Sequence, residues 1–412
     1  MPDPDPQRVL IVRPSALGDV ARTVPVAVAI KREWPSCHLT WLVNRPFAAA
    51  IEHHPAVDDV IPFHRDRLGN AWKLSREVAK LARILHGRRF DRVYDLQGLA
   101  RSGIQTIATR ARRRVGFADA RELGWLGYNV RHTVVRDCEA DAEDIWTVQR
   151  RRGASVVIAG PGEVGDVWAL RSMLGLLHAD GIPVPQTLAQ VAGDLGLAVD
   201  PQARASTEAW AREQGLHAGA YLVVAPTAQW GCKCWPVERF AQVAAELVQA
   251  RGHGLDPAVV AVGAPHEAQR IESFRAELRT QGIASVWPQT DVAGLMAVLA
   301  SARLVLANDS APLHLAVGLG VPTVSVFGPT DPALVGPWGY ALWPATDRDA
   351  SGRSKPPDDT RHWVVRAARA ADGATDYRRQ RDDDTLIATV STPDVAAAAA
   401  FLLHRTGVTP TH

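Results

Sequence analysis

The 412-residue chain reads as two doubly wound α/β domains in tandem, on three observations. Short, continuously apolar runs recur along it, the pattern of strands buried on both faces of a parallel sheet. Stretches with helical spacing of Leu, Val and Ile separate these runs, which is the alternation that a parallel sheet covered by helices requires. The chain is also longer than a single hydrophobic core usually grows, so it is expected to divide.

Taken in order, Arg8-Val9-Leu10-Ile11-Val12 is the first strand, followed by the loop Arg13 to Asp19 and a helical stretch to about Trp34. Leu39 to Val43 and Asp91 to Leu96 are further strands, with a helix between them over Trp72 to Leu85. The pattern restarts at Tyr221 to Ala225, Ala258 to Val262, Arg303 to Ala307 and Thr323 to Phe327, with helices such as Val237 to Gln249 between. The boundary falls between about Pro183 and Gly219. This gives domains over residues 1–200 and 201–390, and a terminal helical piece, 391–412, expected to return to the N-terminal domain. Thr392 reads as the cap of that last helix, with Pro393 in its first turn. Two segments fit poorly. Residues 150–181, with the apolar piece Ala154 to Ile158 and a Gly-rich turn, read as an insertion, and Thr346 to Asp384, dense in Asp, Arg, Pro and Ser, as a long polar loop.

Composition is that of an ordinary globular protein, 47% apolar and 22% charged. A net charge of +2 excludes a polycation that coats nucleic acid, and no nucleic-acid partner is expected. The basic groups His86 to Arg89, Arg110 to Arg114 and Arg150 to Arg152 nevertheless all fall in the first half, either as solvated surface or as the footprint of an anionic partner. Cys37, Cys138, Cys232 and Cys234 form no disulfide framework, so free thiols in a reducing compartment are expected. The N-terminus lacks the features of a signal peptide, and no apolar run of about 18 residues spans a bilayer. The expected location is cytoplasmic, with contact at a membrane surface.

The chemistry-bearing motifs follow strands. Asn308-Asp309-Ser310-Ala311-Pro312-Leu313-His314 comes directly after one, and Pro312 is tolerated only in the first turn of a helix. Free N–H groups and a positive dipole end therefore sit at the carboxyl end of a strand, a place suited to a diphosphate. Ser310 and His314 add donors there; alternatively Asp309 or Ser310 only caps the helix and His314 only packs. Pro226 to Pro236 follows another strand and carries Thr227, Gln229 and Lys233, the lysine being either a point charge for a leaving diphosphate or an ordinary surface cation. Glu267, after a third strand, suits ribose hydroxyls or a helix start. In the first half, Asp19 is either the N-cap of a helix running from Val20 or a general base for an acceptor hydroxyl. Gln97 and Arg101, in Asp95 to Ser102, suit polar acceptor groups, and Gly98 allows close backbone approach. No G-x-x-x-x-G-K-[ST] loop and no G-x-G-x-x-G after the first strand is present, nor a D-x-D pair in the setting of a metal-dependent sugar-nucleotide site.

Together, R-V-L-I-V-R-P-S-A-L-G-D-V, D-L-Q-G-L-A-R-S, P-T-A-Q-W-G-C-K-C-W-P-V-E-R-F and N-D-S-A-P-L-H-L-A-V-G-L-G-V-P-T-V-S-V-F-G-P-T-D-P resemble the ADP-heptose heptosyltransferases, glycosyltransferase family 9. The blocks run from about Arg8 to Gly339, loosely between Val130 and Gly219, with an echo of a final strand and helix at Leu386 to Val395. The resemblance implies a GT-B fold, two Rossmann-like domains facing across a cleft, and inverting, metal-independent transfer of a heptose or related sugar from an ADP-sugar to a lipopolysaccharide core-type or other anionic glycan acceptor. No cofactor is expected apart from the nucleotide-sugar substrate. By resemblance Asp19 is the base, and Lys233 with the helix at Ser310 stabilises the departing diphosphate. The donor side is Thr227, Gln229, Lys233, Glu267, Asp309, Ser310, Ala311 and His314; the acceptor side is Ser15, Gln97 and Arg101. Ala311 stands where the family often has Gly. The competing readings are a sugar-nucleotide epimerase of the same architecture and an idle nucleotide- or carbohydrate-binding relative.

Overall fold

The computed structural model describes residues 5–63, 71–136, 146–151, 154–159, 167–250, 252–343, 360–367 and 381–405. Cys138, Arg152 and most of 346–384 lie outside them. The described residues of 1–163 and 168–198 form one compact unit, and those of 164–167 and 199–412 the other.

In the N-terminal unit, β1 (Arg8–Val12) leads through α1 (Leu17–Arg22) and α2 (Val24–Glu33) to β2 (His38–Asn44) and β3 (Asp59–Phe63). Then come α3 (Ala71–Gly87), β4 (Arg92–Asp95), α4 (Ala100–Ala108), β5 (Arg113–Phe117), β6 (Val130–Arg136), β7 (Trp146–Arg151), β8 (Ala154–Ala159), α5 (Trp168–Ala179) and α6 (Leu188–Asp194). The eight strands lie in the order β3-β2-β1-β4-β5-β6-β8-β7, all parallel except the β7–β8 hairpin. Crossovers run outward in both directions from β1 and β4, so the topological switch point lies between them, where Val12 is in register with Asp95.

The stretch read as an insertion, residues 150–181, contributes strands to the sheet. Arg150 and Arg151 fall on β7, the run Ala154 to Ile158 is β8, which adds to β6, and α5 packs on both β6 and β8. The buried face of α5 includes Leu174, Leu176 and Leu177, and fully burying each such side chain contributes roughly 1.5–3 kcal/mol. An isolated five-residue apolar run cannot show from sequence which sheet it extends.

The C-terminal unit holds α7 (Pro201–Glu213), β9 (Tyr221–Ala225), α8 (Val237–Gln249), β10 (Ala258–Ala261), α9 (Ala268–Thr280), β11 (Ala284–Val286), α10 (Val292–Ala300) and β12 (Ala302–Asn308). These are followed by α11 (Ala311–Gly318), β13 (Thr323–Phe327), α12 (Pro332–Val335), β14 (Tyr340–Trp343), β15 (His362–Arg366) and α13 (Thr392–Arg405). Its sheet is parallel throughout, in the order β11-β10-β9-β12-β13-β15-β14, and the switch point lies between β9 and β12. One core gathers Leu222, Trp235, Phe240, Phe274 and Leu306 with Trp363, Ile387 and Leu402.

Expectations about the C-terminal stretch are corrected here. The polar stretch after Thr346 contains a strand, β15, whose Trp363, Val364 and Val365 are buried between β13 and β14; its five residues are masked in sequence by polar neighbours. The terminal helix is part of the C-terminal unit. Val395, Ala399, Leu402 and Leu403 of α13 enter the C-terminal core, against α8, β12, β13 and β15, where the small alanines permit close approach. Its cap is Ser391 rather than Thr392: the Ser391 Oγ accepts from the Asp394 N–H at 3.2 Å and donates to the Asp394 carboxylate at 2.5 Å. Before it, Ile387–Thr389 is a 3-10 turn and not a strand. Among the described residues, no helix is long and apolar enough to cross a membrane.

Candidate functional site

Both switch points carry polar side chains on loops at the carboxyl ends of the central strands, where open α/β sheets collect ligands. Each is built within its own unit.

In the N-terminal unit, the loop after β1 enters α1 with Ala16 as N-cap, so Asp19 is the third helical residue and not the cap. Its carboxylate turns back to accept from the Ala16 N–H at 3.4 Å. One oxygen pairs with Arg13 at 3.1 Å and the other with Arg22, one turn on. Burial alone would raise the Asp19 pKa, but Arg13 and Arg22 outweigh it and hold the group at about 2. Arg13 also donates to the Leu96 carbonyl, tying the β1 loop to the β4 loop.

The β4 loop is organised by Asp95, a fully buried carboxylate that accepts from the Gln97 N–H at 2.9 Å, the Gly98 N–H at 3.2 Å and the Tyr128 hydroxyl at 2.8 Å. Burial pushes its carboxyl above the usual range. Gly98 sits at φ +67°, the left-handed region that glycine enters without a Cβ penalty. Held this way, Gln97 accepts from the Ser15 N–H at 3.3 Å, and Ser15, Gln97 and Arg101 line one open depression with Pro14, Asn44 and Gln105. The three acceptor candidates therefore come together, while Asp19 is not among the residues lining that depression. Asp95 was missed as an organiser; an acid closing a strand just before an x-Gly turn is the signal that could have found it.

In the C-terminal unit the loops after β9 and β12 meet at Asp309. Its carboxylate receives the Lys233 ammonium at 2.6 Å and the Thr330 hydroxyl at 2.9 Å, and the His314 Nε2 stands 3.8 Å away. Burial would raise its pKa, but Lys233 first and His314 second hold the carboxyl well below the usual range. The preceding residue, Asn308, is fully buried and accepts from the Trp235 N–H at 3.0 Å, which locks the lysine loop onto β12. Ser310 occupies the N-cap position of α11 but makes no capping bond, and its buried Oγ has no hydrogen-bond partner among the described residues. The hydroxyl and the first N–H groups of α11, beginning at Ala311, are thus presented together.

The other donor candidates divide. Thr227 is buried, and its Oγ1 and a Glu267 carboxylate oxygen lie 3.2 and 3.3 Å from where a side chain on residue 263 would begin, so Gly263 keeps the space between the β9 and β10 loops open. The same Glu267 oxygen accepts from the Ala264 N–H at 2.7 Å, closing the 3-10 turn Pro265–Glu267. Gln229 is exposed on the loop surface. Cys232 and Cys234 flank Lys233 as buried thiols whose pKa burial raises.

Arg381 and Thr330 were missed. The Arg381 guanidinium lies 5.2 Å from the centroid of the Trp230 ring, and the Lys233 ammonium stands at the same distance from that ring. The segment bearing Arg381 is bound to the lysine loop: the Arg381 carbonyl accepts from the Cys232 N–H at 2.8 Å, and the Val390 carbonyl from the Trp235 indole at 3.1 Å. No local signal in the polar stretch before Thr385 marks Arg381, because its neighbour in space is more than a hundred positions away in sequence. Among the described residues, no three His, Cys, Asp or Glu side chains converge to hold a metal ion.

The profile of glycosyltransferase family 9 (heptosyltransferase) matches residues 78–140 and 176–343. The chain belongs to glycosyltransferase family 9. It is 31% identical over 337 residues to lipopolysaccharide heptosyltransferase 1 of Pseudomonas aeruginosa, with 81% of each chain covered. To the Escherichia coli protein of that name it is 29% identical over 340 residues, 81% of this chain and 91% of that one. Its fold is similar to that of a family 9 glycosyl transferase from Veillonella parvula, with a TM-score of 0.72 and 17% identity over 97% of this chain and 98% of the other. An Escherichia coli heptosyltransferase with ADP gives a TM-score of 0.64 and 23% identity over 97% and 100%. The α/β, GT-B fold class and the assignment as a glycosyltransferase, both expected from sequence, stand on these findings. Within this family 9 glycosyltransferase, the profile match takes in Gln97, Arg101 and every donor-side candidate from Thr227 to His314; Ser15, Asp19 and Arg381 lie outside it.

Proposed function

We propose that this family 9 enzyme transfers a heptose from ADP-heptose to an anionic saccharide acceptor of the lipopolysaccharide core type, in one inverting displacement that needs no divalent metal. The observation that carries this is the Lys233–Asp309 pair at the N-terminus of α11, beside an uncapped Ser310 hydroxyl. It is supported by relatives named as lipopolysaccharide heptosyltransferases and by structures of an E. coli heptosyltransferase with ADP and with ADP-2-deoxy-2-fluoro heptose.

In the displacement the acceptor oxygen bonds to the anomeric carbon, the bond from that carbon to the diphosphate oxygen breaks, and the acceptor proton passes to the Asp19 carboxylate. The leaving ADP gains negative charge on its terminal phosphate. Lys233, Ser310 and the N–H groups of α11 are placed to bind that charge, and groups that strengthen as charge develops lower the barrier rather than only tightening binding. Asp309 orients Lys233 and stands next to the position of the donor sugar, and Glu267 and Thr227 receive the nucleoside. Ser15, Gln97 and Arg101 hold polar groups of the acceptor.

The test is calorimetric titration of ADP, UDP and GDP in EDTA, followed by a transfer assay with ADP-heptose. Selective ADP binding and EDTA-resistant transfer support the reading; a preference for UDP or GDP overturns the donor, and product formed without an acceptor would show an epimerase. Arg381 adds a second cation next to the diphosphate position. Arg381→Ala is expected to weaken ADP binding about tenfold, the scale of one partly exposed charge contact. Unchanged ADP affinity in that variant would remove Arg381 from the donor site.

A further inference from the structure

Large apolar side chains left exposed are few among the described residues, and four crowd into one place on the N-terminal unit. Ile104 and Ile107 project from α4 at 60% and 49% exposure, and Leu123 and Leu126 from the turn that follows β5 at 62% and 57%. The turn is pressed directly onto the helix backbone. A side chain on Gly103 would begin 2.5 Å from the Gly124 carbonyl, and one on Gly127 would begin 2.6 Å from the Gly103 carbonyl. With backbone against backbone there is no room between helix and turn, so the leucines are turned outward beside the isoleucines. Leu123 is even held at φ +63°, a region that leucine rarely enters.

The rim of this patch is basic. Arg101, Arg110, Arg121 and Arg131 are exposed and make no ion pair among the described residues, and Arg131 stacks 4.6 Å over the half-buried Trp125. The only carboxylates between Leu96 and Arg131 are Asp119 and Glu122. Four aliphatic side chains flanked by guanidinium groups with no carboxylate partner among the described residues match a surface whose interior is hydrocarbon and whose boundary is phosphate. A soluble anion would satisfy the arginines and leave the aliphatic side chains in water.

We infer that the α4 face, with Ile104, Ile107, Leu123 and Leu126 inserted and the arginines on the phosphates, docks this enzyme on an anionic membrane. Arg101 belongs both to this rim and to the depression lined by Ser15 and Gln97. The docked face therefore brings lipid headgroups level with the acceptor-side residues, an extension that rests on the function proposed above.

The experiment is sedimentation of the full-length protein with vesicles of phosphatidylglycerol or of phosphatidylcholine, alongside sedimentation velocity without lipid. Binding to the phosphatidylglycerol vesicles alone is expected, weakened at least tenfold in Ile104→Ser/Leu126→Ser and in Arg110→Gln/Arg121→Gln, with ADP affinity unchanged in both. Equal binding of the two vesicle types, or variants that bind like the wild type, overturns the proposal. So does a dimer that Ile104→Ser/Leu126→Ser dissociates, because the patch would then close on a second copy. Loss of ADP selectivity with vesicle binding intact would fail the proposed function and leave the docking surface standing.

Discussion

Lys233→Ala is expected to lower heptosyl transfer by a factor of roughly 10²–10³, the scale of removing one preorganised charge from a developing anion. ADP affinity should fall as well. The variant has a second effect that must be separated from the first. Lys233 neutralises Asp309, whose side chain is only 7% exposed, and without it the carboxylate keeps Thr330 at 2.9 Å and His314 at 3.8 Å. Stranding a buried charge in this way destabilises by about 3–5 kcal/mol. The sign in pH follows from the depressed pKa of Asp309. Its contribution is present above the unfolded-state pKa and is lost as pH falls through the folded one; removing Lys233 raises the folded pKa, so acid unfolding should begin at a higher pH. The double variant Lys233→Ala/Asp309→Asn should recover thermal stability but not transfer. Recovery of both would mean that the lysine serves only the fold, and wild-type turnover in Lys233→Ala would remove it from the leaving-group role.

Asp19→Asn is expected to reduce transfer by about 10²–10⁴, the usual range for a general base, with ADP affinity nearly unchanged if its role is the proposed one toward the acceptor. The structure sharpens this expectation. Both Asp19 oxygens are already paired, to Arg13 and to Arg22, and at a pKa of about 2 the group is a poor proton acceptor in the unliganded state. If Asp19 is the base proposed above, weakening either arginine contact favours proton uptake. Arg22→Gln should raise the Asp19 pKa and move the acid limb of the kcat/KM profile upward, with retained turnover at neutral pH. An acid limb that stays in place would separate the profile from Asp19. For stability, the shift from 3.8 to about 2 corresponds to roughly 2 kcal/mol, present above pH 4 and lost as pH falls through 2.

What the sequence determined by itself is the strand-and-loop grammar of both halves and the chemistry at its junctions. Short β-branched apolar runs such as Val9 to Val12 and Leu222 to Ala225 read as buried strands, and Pro312 marks a helix start immediately after β12. Local patterns of this kind put Ser15, Gln97, Lys233, Asp309 and Ser310 at strand ends, and the ordered motifs point to the family. Tertiary structure alone decided the rest, because those features depend on partners distant in sequence. β8 has a place only because β6 offers an edge, and β15 only because β13 and β14 leave a gap between them. The Asp19 carboxylate is acidic because Arg13 folds back on it, which no spacing rule reports. Arg381 reaches Lys233 across 148 positions through a shared indole, and Ile104 and Leu126 become one surface only when Gly103, Gly124 and Gly127 let two backbones touch. Burial and electrostatic coupling are set by distance in space, and a sequence states only distance along the chain.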